Sequence, residues 1–468
     1  MPIWLQIVVL IIFLSIIVML ILENRHPIKT IAWILVLTFL PGIGLVLYLF
    51  FGLDNRRKRL VSDEDLADFK ALSSRQQADD VFTDAPEYCK DLVNLLWSTN
   101  MSIPLEGNDV KVYTEFDPMM ADMLRDLESA RDHIHFEFFK FEDDSIGRQI
   151  EDILKRKVSE GVEVRVQYDD AANLIRKRFY HRMSQAGVEV APFIKVVLPF
   201  LSRNTNYRNH RKVVVIDGRV GYVGGMNIAR RYSEGIRGGI WRDTHMRVTG
   251  PVVSEMQTCF LMDWQFSTKE HLCRERYYPR QPRSGNVRMQ LATSGPMDEW
   301  RVIMQAMIRL ISNSHSYVYI HSPYFVPTEP VMLALRNAAL AGVDVRVMLP
   351  SRGDRGVTVQ LASRSYVSDL LSAGVRVFFY KKGYMHSKAI VSDDRVSTIG
   401  SSNMDVRSFE QNFEVNGFIY DESVALELKQ AFLADMQECD EIKAAEWDKR
   451  PKSKAFMESL ARLLSPLL

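Results

Sequence analysis

Two short strings in the chain carry residues that could do chemistry together. Residues 210–217 read His-Arg-Lys-Val-Val-Val-Ile-Asp, and residues 386–393 read His-Ser-Lys-Ala-Ile-Val-Ser-Asp. Both follow the spacing H-x-K-x-x-x-x-D. Each leads through a turn into a small-residue step that ends in asparagine, at Asn227 and Asn403. Val213 to Ile216 is β-branched and apolar, which predicts a buried strand, and its period of two places His210 and Lys212 on one face. Asp217-Gly218 is a hairpin signal that ends this strand and turns the chain back through Val220 to Val223. In the second copy His386 and Lys388 share a face, and Asp393-Asp394 makes the turn.

A histidine and a lysine side by side on a rigid strand make a small cationic site, to which Asn227 and Asn403 add neutral donors. Duplication would bring two such half-sites together across a pseudo-twofold axis. Two imidazoles, two ammoniums and two amides suit the oxygens of a phosphodiester. One histidine can attack phosphorus while the other protonates the departing alkoxide. The lysines and asparagines would stabilise charge on the non-bridging oxygens. No carboxylate pair or histidine cluster with ligand spacing accompanies the strings, and lysine is a poor ligand at neutral pH. Neither a metal nor a cofactor is therefore expected. A lone His-x-Lys on a strand would read as an ordinary polar pair; two copies with matched surroundings do not.

The elements that must hold these strings repeat as well. From residue 108 strand-like alternation and helical spacing take turns, which implies βαβ units and a mostly parallel sheet core. Gly161-Val-Glu-Val-Arg-Val166 and Gly342-Val-Asp-Val-Arg-Val347 lie 181 residues apart (342 − 161), and the two histidines 176 apart (386 − 210). A near-constant offset indicates a duplicated domain. The expected fold is α/β, with domain 1 over residues 106–287 and domain 2 over 288–448. The seam falls near the Pro/Arg/Gly-rich stretch 279–285. Residues 54–105 read as a basic and polar linker with an accessory helix, and 449–468 as an amphipathic helix with a basic lead-in.

At 468 residues, with 47% apolar content, the chain can bury about three units at roughly 150 residues per domain. Net charge is +1, so no global field announces a nucleic-acid partner. The four cysteines are scattered, which suits a reducing compartment. Residues 3–22 and 31–51 are apolar runs of about 20 residues, the length that crosses a hydrocarbon core of roughly 30 Å. They predict a transmembrane hairpin over residues 1–53, with Pro41-Gly42-Ile43-Gly44 able to kink the second run. Four consecutive cations, Arg56 to Arg59, follow it. They outweigh the two in the connecting loop, which places the catalytic body in the cytoplasm.

The two strings resemble the paired HKD motifs of the phospholipase D superfamily, and the likeness extends to bacterial cardiolipin synthases. Gly400-Ser-Ser-Asn-Met-Asp-Val-Arg-Ser-Phe409 with Asn412-Phe-Glu414 carries it, as do Tyr207-Arg-Asn-His-Arg-Lys212, Trp241-Arg-Asp243 and Glu23-Asn-Arg-His-Pro27. The resemblance implies duplicated phospholipase D-type domains and metal-independent phosphatidyl transfer. Two phosphatidylglycerol molecules would give cardiolipin and glycerol through a phosphatidyl-histidine intermediate, in the bacterial cytoplasmic (inner) membrane. It implies His210 as nucleophile and His386 as general acid, then base, an order that the residues themselves leave open. It also implies an acidic residue 25–35 positions after each histidine to orient it: Asp243 for His210, Glu414 for His386. Asp217 and Asp393 complete the motifs and read as turn-holding. Arg203, Arg208, Lys381 and Lys382 flank the motifs and could gather anionic headgroups. Alternatives within the superfamily are a hydrolase, or a transferase with another donor or alcohol acceptor. A nuclease would call for a basic, aromatic-interleaved groove. A homo-oligomer is compatible with the sequence, which singles out no self-complementary face.

Overall fold

In the computed structural model the described residues are 2–22, 27–48, 52, 61–195, 207–236, 239–354 and 356–465. They form two units, one of N-terminal helices and one holding both motifs.

In the first unit, Ile3–Leu22 is one uncharged helix of twenty residues. The second apolar run is not one helix. It forms Pro27–Phe39 and Pro41–Leu47, broken at Leu40, which takes φ −131° and ψ 60° ahead of a proline that removes a helical donor. Leu20, Leu37 and Tyr48 pack the helices together, with Phe13, Ile16 and Trp33 beside them. Side chains at 5–10 and 12 lie outside the described set. Over the described residues alone, no helix is long and apolar enough to cross a membrane.

The second unit is built on a sixteen-stranded sheet. Its first half contributes β1 (Leu105–Tyr113), β2 (His133–Phe138), β3 (Glu163–Tyr168), β4 (Glu189–Pro192), β5 (Arg208–Asn209), β6 (Lys212–Ile216), β7 (Val220–Gly224), β8 (Ile240–Arg242) and β9 (His245–Thr249). Its second half contributes β10 (Val287–Ser294), β11 (Tyr317–His321), β12 (Phe325–Val326), β13 (Asp344–Pro350), β14 (Arg376–Tyr380) and β15 (Gly383–Met385). After these come β16 (Ala389–Ser392), β17 (Val396–Gly400), β18 (Met404–Asp405), β19 (Asn412–Ile419) and β20 (Cys439–Ile442). The sixteen-stranded sheet runs β20-β14-β13-β11-β16-β17-β19-β10-β1-β9-β7-β6-β2-β3-β4 with β5 beside β19, and β8–β15 and β12–β18 are separate two-stranded sheets. Read outward from the β10–β1 pair, the two halves run through equivalent strands, and β20 is the extra edge.

The sheet is mixed, as expected, but not largely parallel. Along the main order β2-β3-β4 and β11-β13-β14 pair in parallel, through helical crossovers, and the remaining neighbours are antiparallel. The motif strands reverse at hairpins, which makes β6–β7, β7–β9, β16–β17 and β17–β19 antiparallel. Residues 61–105 carry two helices. Helix Asp63–Gln76 buries Phe69 against Phe260 and Trp264, and helix Glu87–Asn100 buries Leu92 and Leu96 in the core of the second half.

Candidate active site

Each motif strand lies between its histidine and its aspartate. Asp217 and Asp393 lie at the far ends of β6 and β16, away from the histidines, and take φ of 53° and 52°. Non-glycine residues sit in this left-handed region only when the surroundings hold them there. Both carboxylates do so in the same way. Asp217 accepts from the backbone N–H groups of Arg131, Asp132 and His133 at 2.8–2.9 Å, and Asp393 from those of His315, Ser316 and Tyr317 at 2.7–2.9 Å. They clamp the starts of β2 and β11 beside the motif strands, so the structure removes them from the reacting groups and leaves them the turn-holding part. They hold backbone amides and not the motif lysines.

His210 lies two residues before β6 and His386 three before β16, each stitched to the other half of the molecule. β5 pairs in parallel with the start of β19, and His210 N–H donates to Phe413 O at 2.9 Å. β15 pairs in parallel with β8, and His386 N–H donates to Arg242 O at 2.7 Å. The next residue along each borrowed strand is an acid. Glu414 therefore lies against His210, with Nδ1 3.0 Å from both carboxylate oxygens, and Asp243 against His386, with Nδ1 2.5 Å from Oδ2. The acids expected for each histidine are both present, but exchanged between the halves. The spacing along the chain put each acid with its own motif; the two short parallel pairings carry it to the other.

A carboxylate on Nδ1 fixes the ring orientation and gives the reactive role to Nε2. All four partners are buried, as are Lys212 and Lys388. Each lysine Nζ donates to the carbonyl of its own motif histidine, and Lys388 Nζ also lies 3.0 Å from His386 Nδ1. Burial and Lys388 push the His386 imidazole down to about 4, so it is neutral at neutral pH. Burial raises Asp243, but Lys388 and His386 outweigh it and hold this carboxyl below the usual range. At Glu414 burial wins over Lys212 and Ser401, and the carboxyl rises.

The two histidines share one neighbourhood. Phe139 packs edge-on to His210, with ring centres 4.8 Å apart, and the next residue, Lys140, donates its N–H to Asn227 Oδ1. Asn227 Nδ2 donates to the Tyr232 hydroxyl at 2.6 Å, and the Tyr232 ring lies 6.0 Å from His386. Asn227 thus links the two sides. Asn403 is buried beside Asp405, and its Oδ1 lacks a hydrogen-bond partner. Arg208 lies on β5 two residues before His210 and donates to Tyr207 O. Lys381 and Lys382 do not converge here: they are exposed and pair with Asp440 and Glu438 at the β20 edge. Arg203 lies outside the described residues.

Several residues with parts in the site were given none by the sequence. Ser401 donates to Glu414 Oε2, and at the equivalent place an added Cβ on Gly225 would come 2.1 Å from Asp243 Oδ1. Trp241 and Tyr384 wall His386, with ring centres 5.1 and 5.9 Å away. Behind the centre, Arg211 pairs with Asp263, and Arg242 with Asp435. Asp263 and Asp435 lie 172 residues apart (435 − 263), short of the 176-residue motif offset, so the offset alone does not pair them.

A family profile described as "Cardiolipin synthase, PLD-like domain" matches residues 123–264 and 307–436, once for each half. The chain is also 39% identical over 458 residues to the major cardiolipin synthase ClsA of Bacillus subtilis (strain 168), covering 95% of each. The chain belongs to the cardiolipin synthase family of the phospholipase D superfamily. A second profile, described as "Phospholipase_D-nuclease N-terminal", matches residues 7–52. Cardiolipin synthase of Staphylococcus aureus (strain Mu50) is 37% identical over 459 residues, 96% of this chain and 93% of that one. Among solved structures, phosphatidylserine synthase from Haemophilus influenzae Rd KW20 aligns over 81% of this chain and 100% of its own. Its TM-score is 0.61 at 13% identity, a likeness of fold. In this phospholipase D-type chain the two matched segments each contain one histidine–lysine pair.

Proposed function

We propose that this chain is a cardiolipin synthase that transfers a phosphatidyl group between two phosphatidylglycerol molecules, giving cardiolipin and glycerol. The observation that carries the reading is the crossed pair of carboxylate–histidine units, each with its lysine, built from both halves of a duplicated fold. His210 Nε2 attacks the diester phosphorus and glycerol leaves with a proton from His386. His386, now neutral, accepts the proton of the acceptor's glycerol hydroxyl as that oxygen attacks the phosphatidyl-histidine. Burial and Lys388 favour the neutral form of His386, and the negative charge of a bound diester favours its protonated form. Lys212, Lys388, Asn227 and Asn403 stabilise the phosphorane oxygens. Arg208 lies close enough in sequence to His210 to meet a headgroup.

The near-full-length likeness to proteins named cardiolipin synthase supports transfer to a lipid alcohol over hydrolysis. Domains over 106–287 and 288–448 are supported by the strand order, which repeats on either side of β10–β1. A membrane placement is supported by helix Ile3–Leu22, which carries no charge, and by exposed Ile11, Val18, Ile31, Phe39 and Ile43 in the same unit. With the basic run after residue 55, this favours a multi-pass protein of the bacterial cytoplasmic membrane with its body in the cytoplasm. An anchored site would meet lipid at high effective concentration.

The test is purified full-length protein in chelator-treated vesicles whose only lipid is phosphatidylglycerol, with products resolved by mass spectrometry. Cardiolipin and glycerol in equal amounts are expected. Phosphatidic acid without cardiolipin would make the chain a hydrolase. Activity restored only by a nucleotide-activated lipid or another alcohol would move the donor or acceptor.

A further inference from the structure

The last helix, Lys452–Arg462, is firmly mounted on the body yet shows solvent an apolar face. Ala461 and Glu458 are buried on its inner side. Glu458 pairs with Arg450 at 3.0 Å, Arg462 with Asp369 at 2.9 Å, and the Arg462 guanidinium lies 4.2 Å from the Tyr366 ring centre. On the outer side Phe456, Met457, Leu460, Leu463 and Leu464 are all exposed, Phe456 at 67% and Leu463 at 75%. Positions 456, 460 and 463 follow helical spacing, with 457 and 464 beside them, so the five make one stripe.

Charge surrounds the stripe. Residues 449–462 hold five cations and one acid, a net +4, in a chain whose total is +1. Arg450 and Arg462 are ion-paired, while Lys449, Lys452 and Lys454 are exposed. An apolar stripe on a helix flanked by lysines suits the boundary of an anionic bilayer. A second copy docking through the same face would bring the same lysines against each other.

The mounting relates this face to the chemistry. The helix packs on Val357–Ser365, which begins just after Asp354. Asp354 Oδ1 accepts from the hydroxyls of Tyr324 and Tyr384 at 2.5 and 2.8 Å, and these rings lie 6.4 and 5.9 Å from His386. We propose that the exposed face of helix Lys452–Arg462 docks on an anionic phospholipid surface and so holds the aromatic wall of the His386 half-site against the lipid it draws from. This rests on the lipid-transfer reading above.

The test uses full-length protein in vesicles of brominated phosphatidylglycerol and phosphatidylcholine, with an environment-sensitive fluorophore on Phe456→Cys. A second preparation carries the fluorophore on Ile11→Cys as a control for insertion of the N-terminal helices. Bromolipid quenching at 456 is expected, and its loss in phosphatidylcholine alone. At about a fivefold effect per surface lysine, Lys449→Gln, Lys452→Gln and Lys454→Gln together should lower the docked-to-undocked ratio on the order of 100-fold. Quenching at 11 without quenching at 456 would overturn the proposal. So would energy transfer between probes at 456 on different copies without lipid quenching, or equal quenching in phosphatidylcholine. Turnover is not part of this readout, so the contact can fail while phosphatidyl transfer stands, and the reverse.

Discussion

His210 and His386 occupy equivalent places in the repeat, yet Glu414 meets the first with both oxygens and Asp243 meets the second with one. The equivalence is fixed by register: His245 stands opposite Gly224 and Asn416 opposite Gly400, and each acid lies two residues earlier. Around them the layers differ. The longer Glu414 takes a hydroxyl from Ser401; the shorter Asp243 needs the space that Gly225 leaves. Deeper still, burial raises both Glu137 and Asp263 beside Arg211. The corresponding place beside Arg242 holds His321 and Asp435, where burial lowers the imidazole and the two groups pair at 3.3 Å. One motif set thus sits in two unlike shells, which gives the two histidines different surroundings for the two roles a transfer needs, one attacking and the other moving protons.

The largest effects fall on the histidines themselves. His210→Ala or His386→Ala should cut turnover on the order of 10^4-fold or more while the protein still inserts into vesicles. His386→Asn should strand the phosphatidyl group on His210, seen by peptide mass spectrometry after a single turnover. An adduct on a 386-containing peptide in His210→Asn, with none on 210 in His386→Asn, would reverse the two roles.

Next come the spacers behind the acids. Gly225→Ala drives a methyl into Asp243, and a displacement near 1 Å should cost roughly 10^2-fold in kcat/KM. Ser401→Ala removes one hydrogen bond to a buried carboxylate, which should cost roughly tenfold. Equal losses would mean that the shells are not distinct.

The smallest effect concerns proton affinity. Lys388→Met removes a cation from beside His386, so the imidazole should titrate above about 4, nearer 6.5, by histidine NMR of lipid-free protein. The sign for stability follows from linkage. The folded value lies below the unfolded one, so as pH falls from about 6.5 towards 4 the unfolded chain takes the proton first and His386 costs stability. Lys388→Met should weaken this acid sensitivity, measured as the pH dependence of the unfolding midpoint relative to the unsubstituted protein.

Much of this was legible because it is local. The β-branched run before Asp217 announced a buried strand, and Asp217-Gly218 announced its hairpin. The 176- and 181-residue offsets announced the duplication. The exchange of acids was not legible, because it depends on β5 and β8, strands of two and three residues with no periodicity to read. For the same reason Lys381 and Lys382 looked close to the site: they are near His386 in sequence, but at the end of β14 they turn to the acids of β20. The parallel character of the sheet was overestimated because strand–helix alternation is visible along the chain, while the antiparallel joins at its centre are long-range. In the second apolar run the break at Leu40 falls at Pro41, where the sequence allows a kink.

The exchange itself is tested most directly by the ring-nitrogen resonances of 15N-histidine-labelled protein, assigned through single histidine variants. Glu414→Gln should move the Nδ1 resonance of His210 and leave that of His386 in place, and Asp243→Asn should do the opposite. If each substitution instead moves the histidine of its own half, the acids act within their halves and the composite site described here is wrong.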